Sequence, residues 1–200
     1  NYNSSYLERM LEQMLDEGDS REVTRFLRAV DVRIGGFRVE RAPEWRGQRV
    51  FVRHEVGGKA YELRLSEESA GTQKLMGLAA YLMTALERGG TVVVDELDAK
   101  LHPKLLRYVI LLFKDPEVNK SGAQLIFSSQ DVSTMRNDVF RRDEIWFAAR
   151  GEGEASQLWS LADIHEANGN LVSKNAAFDK QYLSGRYGAD PYLTRIEEWD

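Results

Sequence analysis

Apolar residues recur every three or four positions near the start of the chain: Leu7, Met10, Leu11, Met14 and Leu15, then, beyond Gly18, Val23, Phe26, Leu27 and Val30. Charged residues fill the intervals, so the spacing predicts amphipathic helix over residues 4–30, broken at Gly18. Gly35-Gly36 then switches the period. Between residues 37 and 65, FRVER, RVFVRHEV and AYELRL read as strands, and Gly57-Gly58 supplies the positive φ that a tight hairpin needs. Residues 73–88, QKLMGLAAYLMTALER, are apolar on most sides and predict a buried helix. The apolar run Thr91–Leu97 predicts a strand suited to the centre of a parallel sheet. Pro103 is placed for the first turn of a helix that reaches Lys114 and stops at Asp115-Pro116. Gln124–Ser129 and Glu144–Arg150 are further apolar strands, and GEGEAS turns the chain into another at Gln157–Leu161.

Strand, helix and strand in that order from residue 91 to 129 make a parallel crossover unit, which places the chain in the α/β class. The strands around Val93, Ile126 and Trp146 are expected in one sheet. Tyr182, Tyr187 and Tyr192 are expected to pin the tail to it. Two hundred residues, 42% hydrophobic and 30% charged, suffice for one domain with a real core. The net charge of −5 argues against a generally basic nucleic-acid binder, although it leaves room for nucleic acid as a partner through a local basic patch. The chain has no cysteine, which excludes disulfides and thiolate metal sites. It also has no signal pattern and no apolar run near the ~20 residues that span a bilayer. The expected location is the cytoplasm, with no membrane partner. The first residue is Asn1 rather than Met, the expectation for a piece of something longer.

The chemistry concentrates in TVVVDELDAKLHPKLL, residues 91–106. If the valines are strand, Asp95 and Glu96 stand at its carboxyl edge, where α/β sheets collect ligands, and point to opposite faces. One carboxylate can hold Mg²⁺ and the next can polarise a water attacking a γ-phosphate. The same residues also read as a strand ending in solvated acids. Ser69-Ala70-Gly71-Thr72 offers small residues and hydroxyls at a helix start, either an anion site or a plain N-cap. Gly58-Lys59 lacks the glycine five positions earlier and the following Ser/Thr of a phosphate loop, and reads as hairpin. Asp95, Glu96 and Asp98 could also bind Mg²⁺ for phosphodiester cleavage, but no second acidic cluster accompanies them. His54 and His165 have no metal-ligand spacing, and Trp146 and Phe147 read as core.

Taken together and in this order, ESAGTQKL, TVVVDELDAKLHP, QLIFSSQD, RRDEIWF and YLSGRYGADPYL resemble the C-terminal half of ABC-type AAA ATPases of the bacterial anti-phage, overcoming-lysogenisation-defect-like kind, over residues 66–193. The resemblance implies a P-loop NTPase half-domain: a mostly parallel sheet flanked by helices, with residues 1–35 a helical lead-in and 36–200 the C-terminal lobe. It implies ATP and Mg²⁺ as ligands. Ser69, Gly71 and Thr72 would be the signature motif that meets the γ-phosphate of an opposite protomer. Asp95 would be the Walker B metal aspartate, Glu96 the catalytic glutamate and Asp98 the D-loop acid at the dimer interface. His102-Pro103 would be a structural turn. Implied partners are an N-terminal lobe carrying the Walker A loop, a second copy joined through nucleotide, and an effector nuclease or toxin. Two departures stand out. No Walker A loop occurs in these 200 residues. Gln130 stands where the family places a γ-phosphate-sensing histidine, so catalysis at that position would lack a cation, and a nucleotide-sensing module without turnover is the alternative.

Overall fold

The computed structural model describes residues 20–30, 34–41, 48–150 and 155–189, and the statements below concern these. The chain divides into two compact units, Asn1–Ser129 and Gln130–Asp200.

In the first unit, the second amphipathic stretch forms helix α1, Ser20–Ala29. Its stripe of Val23, Phe26 and Leu27 is buried together with Val30, as the spacing predicts. The earlier stretch with Leu7 to Leu15 lies outside the described residues. Strands β1 (Ile34–Arg41), β2 (Gln48–Val56) and β3 (Lys59–Arg64) form an antiparallel sheet in chain order. Gly57 and Gly58, with φ of 58° and 75°, close the β2–β3 hairpin, and a side chain there would meet nothing within 4 Å. β3 is exposed along its whole length, an edge strand braced by Arg38, whose guanidinium pairs with Glu62 at 2.7 Å and lies 4.4 Å over the Phe51 ring.

Helix α2 runs from Ala70 to Arg88 and buries Leu75, Met76, Leu78, Ala79 and Leu82. Strand β4 is Thr91–Val94, helix α3 is Pro103–Lys114 and strand β5 is Gln124–Phe127. β4 and β5 pair in parallel, Val93 opposite Ile126, as the crossover pattern predicts. Pro103 occupies the first turn of α3, and His102 Nδ1 accepts the Lys104 N–H at 3.1 Å, so the His-Pro pair is a structural cap.

Two expectations need correction. The strand ends at Val94 rather than Leu97, because Glu96 adopts a left-handed conformation that an extended strand cannot continue. The strand holding Trp146 does not join the parallel pair. It forms β6 (Trp146–Arg150) and pairs antiparallel with β7 (Ser156–Ser160). With so short a connection, the local hairpin forms at lower loop-closure cost than a distant pairing. Trp146 is exposed, and Phe147 is the buried member of the pair.

In this second unit Phe147 anchors the core. The ring of Tyr182, on helix α4 (Phe178–Leu183), stacks on it at 5.7 Å, and those of Tyr187 and Trp159 lie 5.3 Å and 6.1 Å away. Two of the three tail tyrosines therefore hold the chain to a strand as predicted, and Tyr192 lies outside the described residues. Burial pushes the Tyr187 hydroxyl up to about 12, and that hydroxyl donates to Gln181 Oε1 at 2.7 Å. Among the described residues no helix is long and apolar enough to cross a membrane.

Candidate functional site

Directly after β4, the Asp95–Lys100 segment turns back on itself. The Ala99 N–H donates to Glu96 O at 3.0 Å and the Leu101 N–H to Asp98 O at 2.9 Å. Glu96 and Lys100 have φ of 49° and 64°, and they are the non-glycine residues with positive φ among those described. A side-chain-bearing residue in this region costs about 1–2 kcal/mol, so surrounding contacts must hold it there.

One source of those contacts is Ser128, just past β5. Its N–H donates to Val94 O at 3.1 Å, and its carbonyl accepts from Leu97 N at 3.0 Å. Its hydroxyl accepts from Glu96 N at 2.8 Å and donates to Asp95 Oδ1. Parallel pairing of β4 with β5 brings Ser128 to this point. The expectation that Asp95 and Glu96 face opposite sides rests on an extended strand. The geometry that replaces it is a turn, in which one serine contacts the side chain of Asp95 and the backbone of Glu96. Both acids are exposed to solvent.

A second source is Lys74 on α2. It is buried, at 6% exposure, among apolar neighbours on its helix. Its ammonium donates to Glu96 O at 2.5 Å and to Ala99 O at 2.9 Å. Burial holds that ammonium below the ordinary lysine range, while the charges of Asp98 and Glu96 pull it back up. Asp98 Oδ1 is buried without a hydrogen-bond partner among the described residues.

Ser69 is the N-cap of α2. Its Oγ accepts the Thr72 N–H at 3.1 Å and lies 2.9 Å from the Thr72 hydroxyl. The plain cap is thus made, on an exposed helix start. Gly71 follows against the Asp95–Lys100 turn, where a β-carbon would stand 2.8 Å from Lys100 O. Only glycine fits that approach. Just upstream, His54 Nε2 lies 2.5 Å from the carboxylate of Glu68, which places this histidine in a polar contact rather than a metal site.

The structure therefore brings Ser69, Gly71, Asp95, Glu96 and Asp98 into one connected region of the first unit. Gln130 is exposed and opens the second unit. Sequence reasoning missed Lys74 and Ser128. A lysine within the apolar run QKLMGLAAYLM is a readable signal, since an unpaired ammonium is costly to bury. Nothing in QLIFSS distinguishes Ser128 from Ser129.

No group of three or more metal-ligating side chains occurs among the described residues. Mg²⁺ commonly takes one or two protein carboxylates and completes its shell with water and substrate phosphate, a role open to the exposed Asp95.

A family model described as "AAA domain, putative AbiEii toxin, Type IV TA system" matches residues 1–136, more than half of the chain. A solved structure from work on ATP-driven dimerization and DNA-stimulated activation of SMC ATPases matches with TM-score 0.51 at 16% identity, covering 76% of this chain and 88% of that one. Another, an SmcHead bound to the C-winged helix domain of ScpA, matches with TM-score 0.41 at 16% identity, over 70% of this chain and 42% of its own. No curated protein matches. At such identity the first likeness shows the fold alone, an α/β architecture shared with that structure.

Proposed function

Given that the chain belongs to the AAA_21 family of AAA domains, we propose that residues 69–72 and 95–98 are its share of a composite ATP-hydrolysing site. Glu96 carries the reading. A glutamate held in a left-handed conformation, between a hydrogen-bonded aspartate and a lysine-gripped backbone, is a strained residue in a region whose chemistry suits a phosphate and its metal. Asp95 would hold Mg²⁺, which screens the phosphate charge and orients the γ-phosphate when bound. Glu96 would direct the attacking water. Ser69 and Thr72 would meet the γ-phosphate of nucleotide bound by a second copy, with Gly71 allowing close approach and Asp98 lying at the interface between copies. Gln130 would contact phosphate or water as a neutral donor. The phosphate cradle itself would come from a Walker A lobe of the same protein. In the bacterial cytoplasm such a module would couple nucleotide state to an effector nuclease or toxin in phage defence.

The test uses the complete protein. Wild type should turn over ATP with Mg²⁺, and Glu96→Gln should lower kcat by about 10²-fold or more, the scale of a lost acid–base group. The same variant should trap a nucleotide-bound dimer visible by light scattering, and adding Ser69→Arg should abolish that dimer. Dimerisation on ATP without turnover would favour the nucleotide-sensing module that Gln130 points to. A double variant that still dimerises would leave Ser69 an ordinary cap and sink the signature assignment.

A further inference from the structure

Helix α2 and the turn bearing Glu96 meet at two points. At one, Gly71 packs against the Lys100 carbonyl so closely that a β-carbon would stand 2.8 Å from its oxygen. At the other, one helical turn further on, Lys74 donates to Glu96 O and Ala99 O at 2.5 Å and 2.9 Å. Glu96 O also accepts the Ala99 N–H at 3.0 Å, so the ammonium grips the carbonyl that closes the turn. An apolar side chain would suit this helix position better on burial grounds alone, with Leu75, Met76, Leu78 and Ala79 around it in sequence. What the lysine adds is a rigid link to the backbone of the strained glutamate.

We propose that Lys74 is a positioning residue that makes the Ser69–Thr72 helix start and the Glu96 turn move as one piece. A phosphate met at Ser69 and Thr72 then sets the direction of the Glu96 carboxylate within the same chain. This rests on the composite-site reading above. In a dimer with two shared sites, Ser69 of one copy serves one nucleotide and Glu96 of that copy serves the other. Lys74 thereby ties occupancy of one site to competence of its twin, and ATP turnover becomes cooperative.

A double-mutant cycle on the complete protein with Mg²⁺ and ATP tests this. Lys74→Met should lower kcat about tenfold while KM stays within about twofold, and the Hill coefficient should fall to about 1. Ser69→Ala should lower kcat by itself, and by a smaller factor in the Lys74→Met background, where its direct phosphate contact remains to be lost but the link to Glu96 is already gone. Lys74→Arg, which keeps charge and donors, should return kcat to within about threefold of wild type. Amide exchange at Ala99 and Leu101 should quicken about tenfold in Lys74→Met, with the middle of α2 unchanged. If that variant does not fold, the shorter Lys74→Gln carries the same cycle. Additive losses, or unchanged exchange at Ala99 and Leu101, overturn the link while leaving an active ATPase. Wild-type protein without Glu96-dependent turnover sinks the composite site first, and the link with it.

Discussion

The β2–β3 hairpin and the turn after β4 both require left-handed backbone, and they meet that requirement with different residues. At the hairpin it falls on Gly57 and Gly58, which have no β-carbon to clash and open space around them. After β4 it falls on Glu96 and Lys100, which carry long side chains. The backbone of the hairpin turn therefore needs no contact from elsewhere to hold it, and the strand that leaves it is an exposed edge. The second turn is held from outside: Ser128 supplies bonds from just past β5 and Lys74 supplies them from α2. Strain kept at a site, when glycine would relieve it, marks a place where the side chain matters more than the fold does.

The sharpest way to break this comparison is to place glycine at the strained position. Glu96→Gly should abolish ATP turnover by about 10²-fold or more, as expected for a missing acid–base group. It should also raise stability by about 1 kcal/mol through relief of the left-handed strain, read as a higher Tm. A variant both inactive and less stable would show that the conformation carries no stored strain. The reverse exchange at the hairpin is the next largest effect. Gly58→Val forces a β-branched residue to φ 75° and should cost about 1–2 kcal/mol, with kcat unchanged. An equal loss of turnover would mean that the hairpin belongs to the site after all. The smallest effect is expected from Lys100→Gly, a gain of about 0.5–1 kcal/mol by denaturant unfolding. A loss there would show that the Lys100 side chain holds the turn.

Much of this was legible along the chain because it is local. The helical stripe of Val23, Phe26 and Leu27, the glycine hairpin, and the proline and histidine that start α3 each follow from residues a few positions apart. Parallel pairing of β4 and β5 was legible too, since a strand–helix–strand order leaves few alternatives. The ordered motifs from ESAGTQKL to YLSGRYGADPYL resemble those of AAA ATPases, and the family match bears out that family reading. Where strands pair by competition, the sequence was ambiguous. Trp146 and Phe147 both read as core in an apolar strand, yet adjacent strand residues face opposite sides, and in the hairpin with Ser156–Ser160 Phe147 is buried while Trp146 is exposed.

By itself, then, the sequence determined which elements form and which residue types bear charge at their ends, because hydrophobic period, caps and turn residues act over a few positions. Only the tertiary structure decided how the acids are held. Ser128 lies 32 positions from Glu96 and Lys74 lies 22 positions from it. No local pattern reports that a serine past one strand will orient an aspartate past its neighbour. Nor does one report that a lysine in an apolar helix will spend its donors on two backbone carbonyls. Those bonds exist because sheet pairing and helix packing carry distant residues to one place, where a strained glutamate can be kept against its own backbone preference.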